Sequence, residues 1–166
     1  MIVIGIDPGS LVTGYGVVRE EGGKAICMDY GTIRNHGKTA LPRRLGTIYN
    51  QLVRICRDLR PEAAAVETLF YSKNVRTALV QGEARGVVLL ACEMVNLPVY
   101  EYAPAVVKKA VVGQGTATKE QVGFMIRRLL ALPDAPPEDA ADALAIALCH
   151  LHRRKDPGFK SARVSD

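Results

Sequence analysis

The chain of 166 residues carries 22 Lys and Arg against 17 Asp and Glu, a formal charge of +5, with 48% hydrophobic and 23% charged residues. That length and mixture fit one compact globular domain with a single site, and exclude a disordered, fibrous or two-domain protein. The modest positive charge favours a polyanionic partner without identifying it, and no apolar run approaches the roughly 20 residues of a membrane helix.

Residues 2–6 form a short β-branched run ended by Asp7-Pro8-Gly9, and Gly14–Arg19 supplies a second run. Glu20-Glu21-Gly22-Gly23 is a hairpin turn leading to a third strand over Ala25–Ile33, so an antiparallel meander opens the fold. Between Pro42 and Leu59 the apolar residues Leu45, Ile48, Tyr49, Leu52, Ile55 and Leu59 recur at helical spacing. Pro42 is tolerated in a first turn, and Pro61 closes the helix. Ala63–Glu67 is a short apolar strand ending on an acid. A long helical pattern then runs from about Asn74 to Val95, and Asn96-Leu97-Pro98 leads into a strand over Val99–Tyr102.

Helices over Pro104–Val112 and Lys119–Leu132 flank the pliable segment Gly113-Gln114-Gly115-Thr116, and a last helix follows Pro136-Pro137 to about His152. Residues 1–155 read as one domain; 156–166 have little apolar content and read as a flexible basic tail. A strand meander followed by alternating helices and strands predicts an α/β layered fold with a mixed sheet. The four cysteines, Cys27, Cys56, Cys92 and Cys149, are widely spaced without C-x-x-C pairing, so a reducing cytoplasm is expected and zinc ribbons or disulfides are not. The opening Met1-Ile2-Val3-Ile4 has no basic leader of the export type.

Three acidic features stand out against this background. Asp7 ends a strand expected to be central, where α/β folds place their chemistry, although an Asp before Pro-Gly also serves simply as a turn residue. Glu67 ends the run Ala63-Ala64-Ala65-Val66 in the same way; if the two strands are parallel neighbours, both carboxylates emerge at one sheet edge and repel unless a cation lies between them. Asp142 interrupts an Ala, Leu and Ile helix with a charge that packing does not explain. Asp139 and Glu138 lie one turn earlier, so either can share its face, while both also suit the positive end of the helix.

Oxygen ligands alone select a hard cation such as Mg²⁺ or Mn²⁺ over zinc. Two such ions about 3.5–4 Å apart activate water and stabilise attacking and leaving oxygens at phosphorus, so the expected chemistry is phosphodiester hydrolysis.

Gly5-Ile6-Asp7-Pro8-Gly9-Ser10 with Thr13-Gly14-Tyr15-Gly16, Glu67 with Phe70 and Lys73-Asn74, Gln81-Gly82-Glu83-Ala84-Arg85-Gly86, Val107-Lys108 with Val111-Val112-Gly113, and Asp139 to Ala145 follow one another in order. Together they resemble the RuvC family of Holliday-junction resolvases over nearly the whole chain. The strand-end D-x-G alone also occurs in actin-like phosphotransferases, which need two domains and a longer chain.

The resemblance implies a ribonuclease H-like fold, with a mixed five-stranded sheet flanked by helices, and a homodimer that nicks four-way junctions symmetrically in recombination and repair. It also implies Mg²⁺ dependence, a short T-containing target sequence, 5′-phosphate products and cooperation with the RuvA–RuvB branch-migration machinery. By matching motif, Asp7, Glu67, Asp139 and Asp142 become the catalytic, metal-holding acids, which selects Asp139 over Glu138. A non-catalytic junction scaffold of the same fold is the other reading, and an intact acid set opposes it.

Lys108 and Lys119 match family positions that face DNA beside the acids, and an ammonium there holds a phosphate or stabilises developing charge. Phe70 matches a position that stacks on bases near the crossover, with Tyr71 as a substitute. Lys73, Arg76 and the pair Arg43-Arg44 are further candidates for phosphate contacts, whereas Arg54, Arg57 and Arg60 read as the wet side of a helix. Gly82 and Gly86 interrupt a helix at a cost of about 1 kcal/mol each, which implies close packing against the sheet or a second subunit. His150 and His152 suit a helix C-terminus better than a metal site. Arg153-Arg154-Lys155 either caps the same end or touches a DNA arm.

Overall fold

A computed structural model describes residues 1–68, 74–155 and Val164. The meander consists of β1 (Ile2–Asp7), β2 (Val12–Glu21) and β3 (Lys24–Arg34). Gly22 and Gly23 turn β2 into β3 at φ of 56° and 80°, a left-handed backbone that glycine adopts without a Cβ clash. The helix α1 (Leu41–Leu59) follows and ends on Arg60, itself left-handed, one residue before Pro61. Next come β4 (Ala63–Glu67), α2 (Val75–Glu93), whose first turn is capped by the Asn74 side chain accepting from Thr77 N–H at 3.2 Å, and β5 (Val99–Tyr102).

Three helices complete the chain: α3 (Pro104–Val112), α4 (Lys119–Leu129) and α5 (Glu138–Arg153). Thr118 and Gln121 form a reciprocal capping box at the start of α4. The expected extension of α4 to Leu132 does not occur. Ala131 turns left-handed, Leu132 N–H reaches back to Arg127 O at 2.9 Å, and the Arg127 guanidinium donates to the Leu132 and Pro133 carbonyls. The helix stops because its last carbonyls find partners outside the helical ladder.

The sheet order is β3-β2-β1-β4-β5, with β1 antiparallel to β2 and parallel to β4, and β4 parallel to β5. Burial alternates along the strands. Ile4, Ile6, Ala64 and Val66 join the apolar layer under α1 and α2. Val3, Ala63 and Ala65 join the opposite layer, formed with α5, α3 and α4.

Helix α5 is the pillar of that second layer: every residue from Ala140 to Leu151 is buried except Asp142. It reaches the sheet through glycines. A Cβ on Gly5 would meet Ala143 O at 1.9 Å, one on Gly14 would meet Asp139 O at 1.9 Å, and one on Gly16 would meet the Leu144 side chain at 2.6 Å. Only residues without a side chain let the α5 backbone lie directly on β1 and β2.

Of the expected flexible tail only Val164 falls among the described residues, and its N–H donates to Val99 O on the sheet edge at 3.2 Å.

Candidate active site

Strand periodicity decides where the two strand-end acids point. Asp7 and Glu67 continue the odd-numbered series Val3, Gly5 and Ala63, Ala65, so both leave the sheet on the α5 side. Ile6 pairs with Val66 and Asp7 with Gly14, which sets the two carboxylates side by side at one end of adjacent parallel strands. Because the Asp139 carbonyl rests on Gly14, the first turns of α5 stand over the same end, and Asp142 is the one opening in the buried helix, with 27% of its side chain exposed.

The electrostatics agree with that geometry. Asp7 is pushed up to about 7, first by burial and then by the charges of Asp142, Glu67 and Asp139, with Lys119 opposing. Glu67 is raised by burial and by Asp142, against Lys108 and Lys119. Asp142 is raised by burial, against its ion pair with Lys119. Crowded, half-buried carboxylates of this kind resist simultaneous ionisation.

Lys119 supplies the positive charge beside Asp142. Its Nζ donates to Glu138 Oε1 at 2.5 Å and lies 3.4 Å from Asp142 Oδ2, and these partners raise its pKa. Glu138, set aside on the strength of the resemblance, is therefore a partner of the catalytic lysine candidate. As the side chains stand, no three Asp, Glu, His or Cys groups among the described residues are gathered tightly enough to ligate one ion. Instead Lys119 holds Asp142, while the carboxylates repel one another. The donor set nevertheless fits a hard divalent cation: it is all oxygen, and the repulsion that lifts Asp7 is what such an ion would relieve.

The loop after Asp7 is fastened by residues the sequence reading did not single out for this purpose. Thr13, fully buried, donates from Oγ1 to Gly9 O at 2.7 Å and accepts from Gly9 N–H at 3.4 Å. Asn35 Nδ2 donates to Ser10 O and to Arg44 O, at 3.2 and 3.3 Å, and Arg44 Nη1 donates to Ser10 Oγ at 3.1 Å. A buried Thr behind a D-P-G turn was the available signal.

Other predicted residues divide cleanly. Lys108, on α3, is close enough to Glu67 to lower its pKa. Arg76 is exposed on the first turn of α2, whereas Phe70, Tyr71 and Lys73 lie outside the described residues. Gly82 and Gly86 face open space with nothing within 4 Å, so packing against the sheet is not their role. His150 is buried, bonded through Nδ1 to the Tyr102 hydroxyl at 2.8 Å, and pushed down to about 4 by burial and then Arg154. It is a neutral core residue rather than the cationic helix end expected. Arg154 and Lys155 pair with Glu20 of β2. Arg54, Arg57 and Arg60 are exposed, as a wet helix side requires.

Acids from two parallel strand ends and a crossing helix, with lysines beside them, stand at one end of a mixed sheet, the arrangement of a nuclease with a ribonuclease H-like fold. Residues 3–150 match the family described as crossover junction endodeoxyribonuclease RuvC. A relative of that description from Pelotomaculum thermopropionicum is 48% identical over 153 residues, spanning 92% of this chain and 93% of its own length. One from Chloroflexus aggregans is 49% identical with the same coverage. The solved Thermus thermophilus RuvC structure superposes with a TM-score of 0.85 at 40% identity, over 93% of this chain and 95% of that one. The same protein in complex with Holliday junction substrate gives 0.86 at 40% identity, over 91% and 93%. The chain belongs to the RuvC family of crossover junction endodeoxyribonucleases.

Proposed function

We propose that this endonuclease resolves Holliday junctions in recombination and repair, cutting two strands symmetrically with Asp7, Glu67, Asp139 and Asp142 as its catalytic acids. The observation that carries the reading is the convergence of Asp7 and Glu67 at adjacent parallel strand ends with Asp139 and Asp142 on the helix seated over them, three stretches that lie far apart in sequence. The four acids would hold divalent cations, two of Mg²⁺ or Mn²⁺, which supply activated water and charge stabilisation at phosphorus when bound.

The chain's own groups do the rest. Burial keeps the carboxylates poorly hydrated and strengthens their grip on a cation. Lys119 Nζ, beside Asp142, exchanges its pairing with Glu138 for the phosphoryl oxygens and stabilises the charge that grows on them. Lys108, beside Glu67, holds the backbone nearby, with Arg76 on the first turn of α2 as a further phosphate contact, and the family likeness gives Lys73 a phosphate and Phe70 an opened base to stack on. The products carry 5′-phosphates. Binding is cytoplasmic and in concert with RuvA–RuvB.

Symmetric cutting needs two sites. Val75, Leu79, Gly82, Gly86, Leu90 and Met94 recur along α2 at helical spacing, and the four large ones are 73%, 63%, 52% and 57% exposed. An apolar stripe open at two glycines suits a helix of a second copy lying close across it.

Purified protein given Mg²⁺ and synthetic four-way junctions of varied sequence should nick two opposed strands at mapped, symmetric positions, and chelation should abolish nicking while binding persists. Binding without any nicking would transfer the chain to the scaffold reading.

A further inference from the structure

The first turn of α1 is unusual for a helix start. Ala40 offers no side-chain cap and the turn holds no acid, but Arg43 and Arg44 stand there instead. Cations at that end oppose the helix dipole. Among the described residues no carboxylate pairs with either arginine. Arg44 is moreover turned inward and partly buried, with Nη1 on Ser10 Oγ and Nε buried without any hydrogen-bond partner.

A partly desolvated guanidinium without a counter-charge is costly, and it gains most from a bidentate oxyanion. Its neighbours say which anion is in reach. Ser10 lies three residues after Asp7, so their Cα atoms are no more than about 11 Å apart. One DNA strand advances about 3.4 Å along its axis per nucleotide, so that span covers at most about three nucleotides.

We propose that Arg44, oriented by Ser10, binds a backbone phosphate of the substrate within about three nucleotides of the scissile bond. The inference rests on the junction-nuclease reading and extends it. Asn35 ties Arg44 and Ser10 to the loop that carries Asp7, so a phosphate seated on Arg44 fixes the register in which the strand meets the carboxylates.

The test measures junction affinity without divalent ions, so that no nicking intervenes, across a range of salt for the wild type, Arg44→Gln and Arg44→Lys, each checked by thermal melting. One released counterion corresponds to about 0.9 in the slope of log K against log salt, so Arg44→Gln should lower the slope by about that much while Arg44→Lys retains it. Junctions carrying a single methylphosphonate then locate the contact. Wild type should lose about tenfold in affinity at one position within about three nucleotides of the cut, as expected for a charge-assisted bond, and Arg44→Gln should lose nothing there.

An unchanged slope in Arg44→Gln, or equal sensitivity of both proteins at every position, overturns the proposal. So does Arg44→Lys losing slope and melting temperature together, since Arg44 is then only a tie between α1 and the loop. If the wild type fails to prefer junctions over duplex, the parent reading fails, and the same slopes on duplex still report whether Arg44 meets a phosphate.

Discussion

Gly14→Ala is the sharpest probe of how the site is assembled. The new methyl would sit 1.9 Å from Asp139 O and 2.4 Å from its carbonyl carbon, where ordinary contact begins at 3.4 Å. The obstacle is backbone, so no rotamer change relieves it, and the start of α5 must withdraw by about 1.5 Å. Overpacking of this kind typically costs about 1–3 kcal/mol. The functional penalty is larger, because Asp139 and Asp142 ride on the displaced turns, and a misplacement of about 1 Å is worth roughly a hundredfold in rate. Single-turnover nicking of a four-way junction, beside urea unfolding, measures both terms. Gly46→Ala in α1 is the control: nothing lies within 4 Å of the added carbon, and a helix-interior alanine gains about 1 kcal/mol. If Gly14→Ala cuts and unfolds like the wild type, α5 is not seated on β2 as described and the argument for a shared pocket fails.

Lys119→Met should cut about a hundredfold more slowly in single-turnover assays while still binding junction; an unchanged rate would remove Lys119 from the chemistry. His150 titrates near 4 in the fold and near 6.5 when unfolded, so it costs no stability above pH 6.5. As pH falls from 6.5 towards 4 the unfolded chain takes up a proton that the native core refuses, and up to about 3 kcal/mol is lost. Urea unfolding of wild type and His150→Asn over that range should show the difference between them narrowing as pH falls, and a constant difference would place a proton on the native imidazole. If the exposed stripe of α2 is the proposed dimer face, Leu79→Glu should leave the melting temperature nearly unchanged and give monomers in sedimentation where the wild type gives dimers. Retained dimers would move the interface elsewhere.

Element types were easy to read wherever a period met a breaker. Ala63–Glu67 and Val99–Tyr102 lie between prolines, glycines and helices, and Pro104–Val112 begins on a proline and ends at Gly113, so their limits follow from local chemistry. The far end of α4 did not, because its stop depends on Arg127 reaching round to Leu132 and Pro133. The same division holds in the site. That Asp7 and Glu67 share an edge follows from two parallel strands; that Asp142 joins them follows from its misfit in an apolar helix. Which of Glu138 and Asp139 accompanies it was not decided by spacing, and Glu138 took a part that spacing could not foretell, as the acceptor for Lys119. Gly82 and Gly86 look alike in sequence to Gly5, Gly14 and Gly16, yet only the last three are pressed against another backbone. His150 misled because a histidine near a helix end reads as a cap until Tyr102, remote in sequence, is known to meet it.

The seat of α5 on the glycines of β1 and β2 also governs when the molecule becomes dangerous to a chromosome. During synthesis the ribosome delivers Asp7 and Glu67 early, whereas Asp139 and Asp142 arrive with the final helix. If the four acids cut as proposed, a nascent or truncated polypeptide holds only two of them and should leave DNA intact, so that competence to cleave comes only with the last helix closing on the sheet.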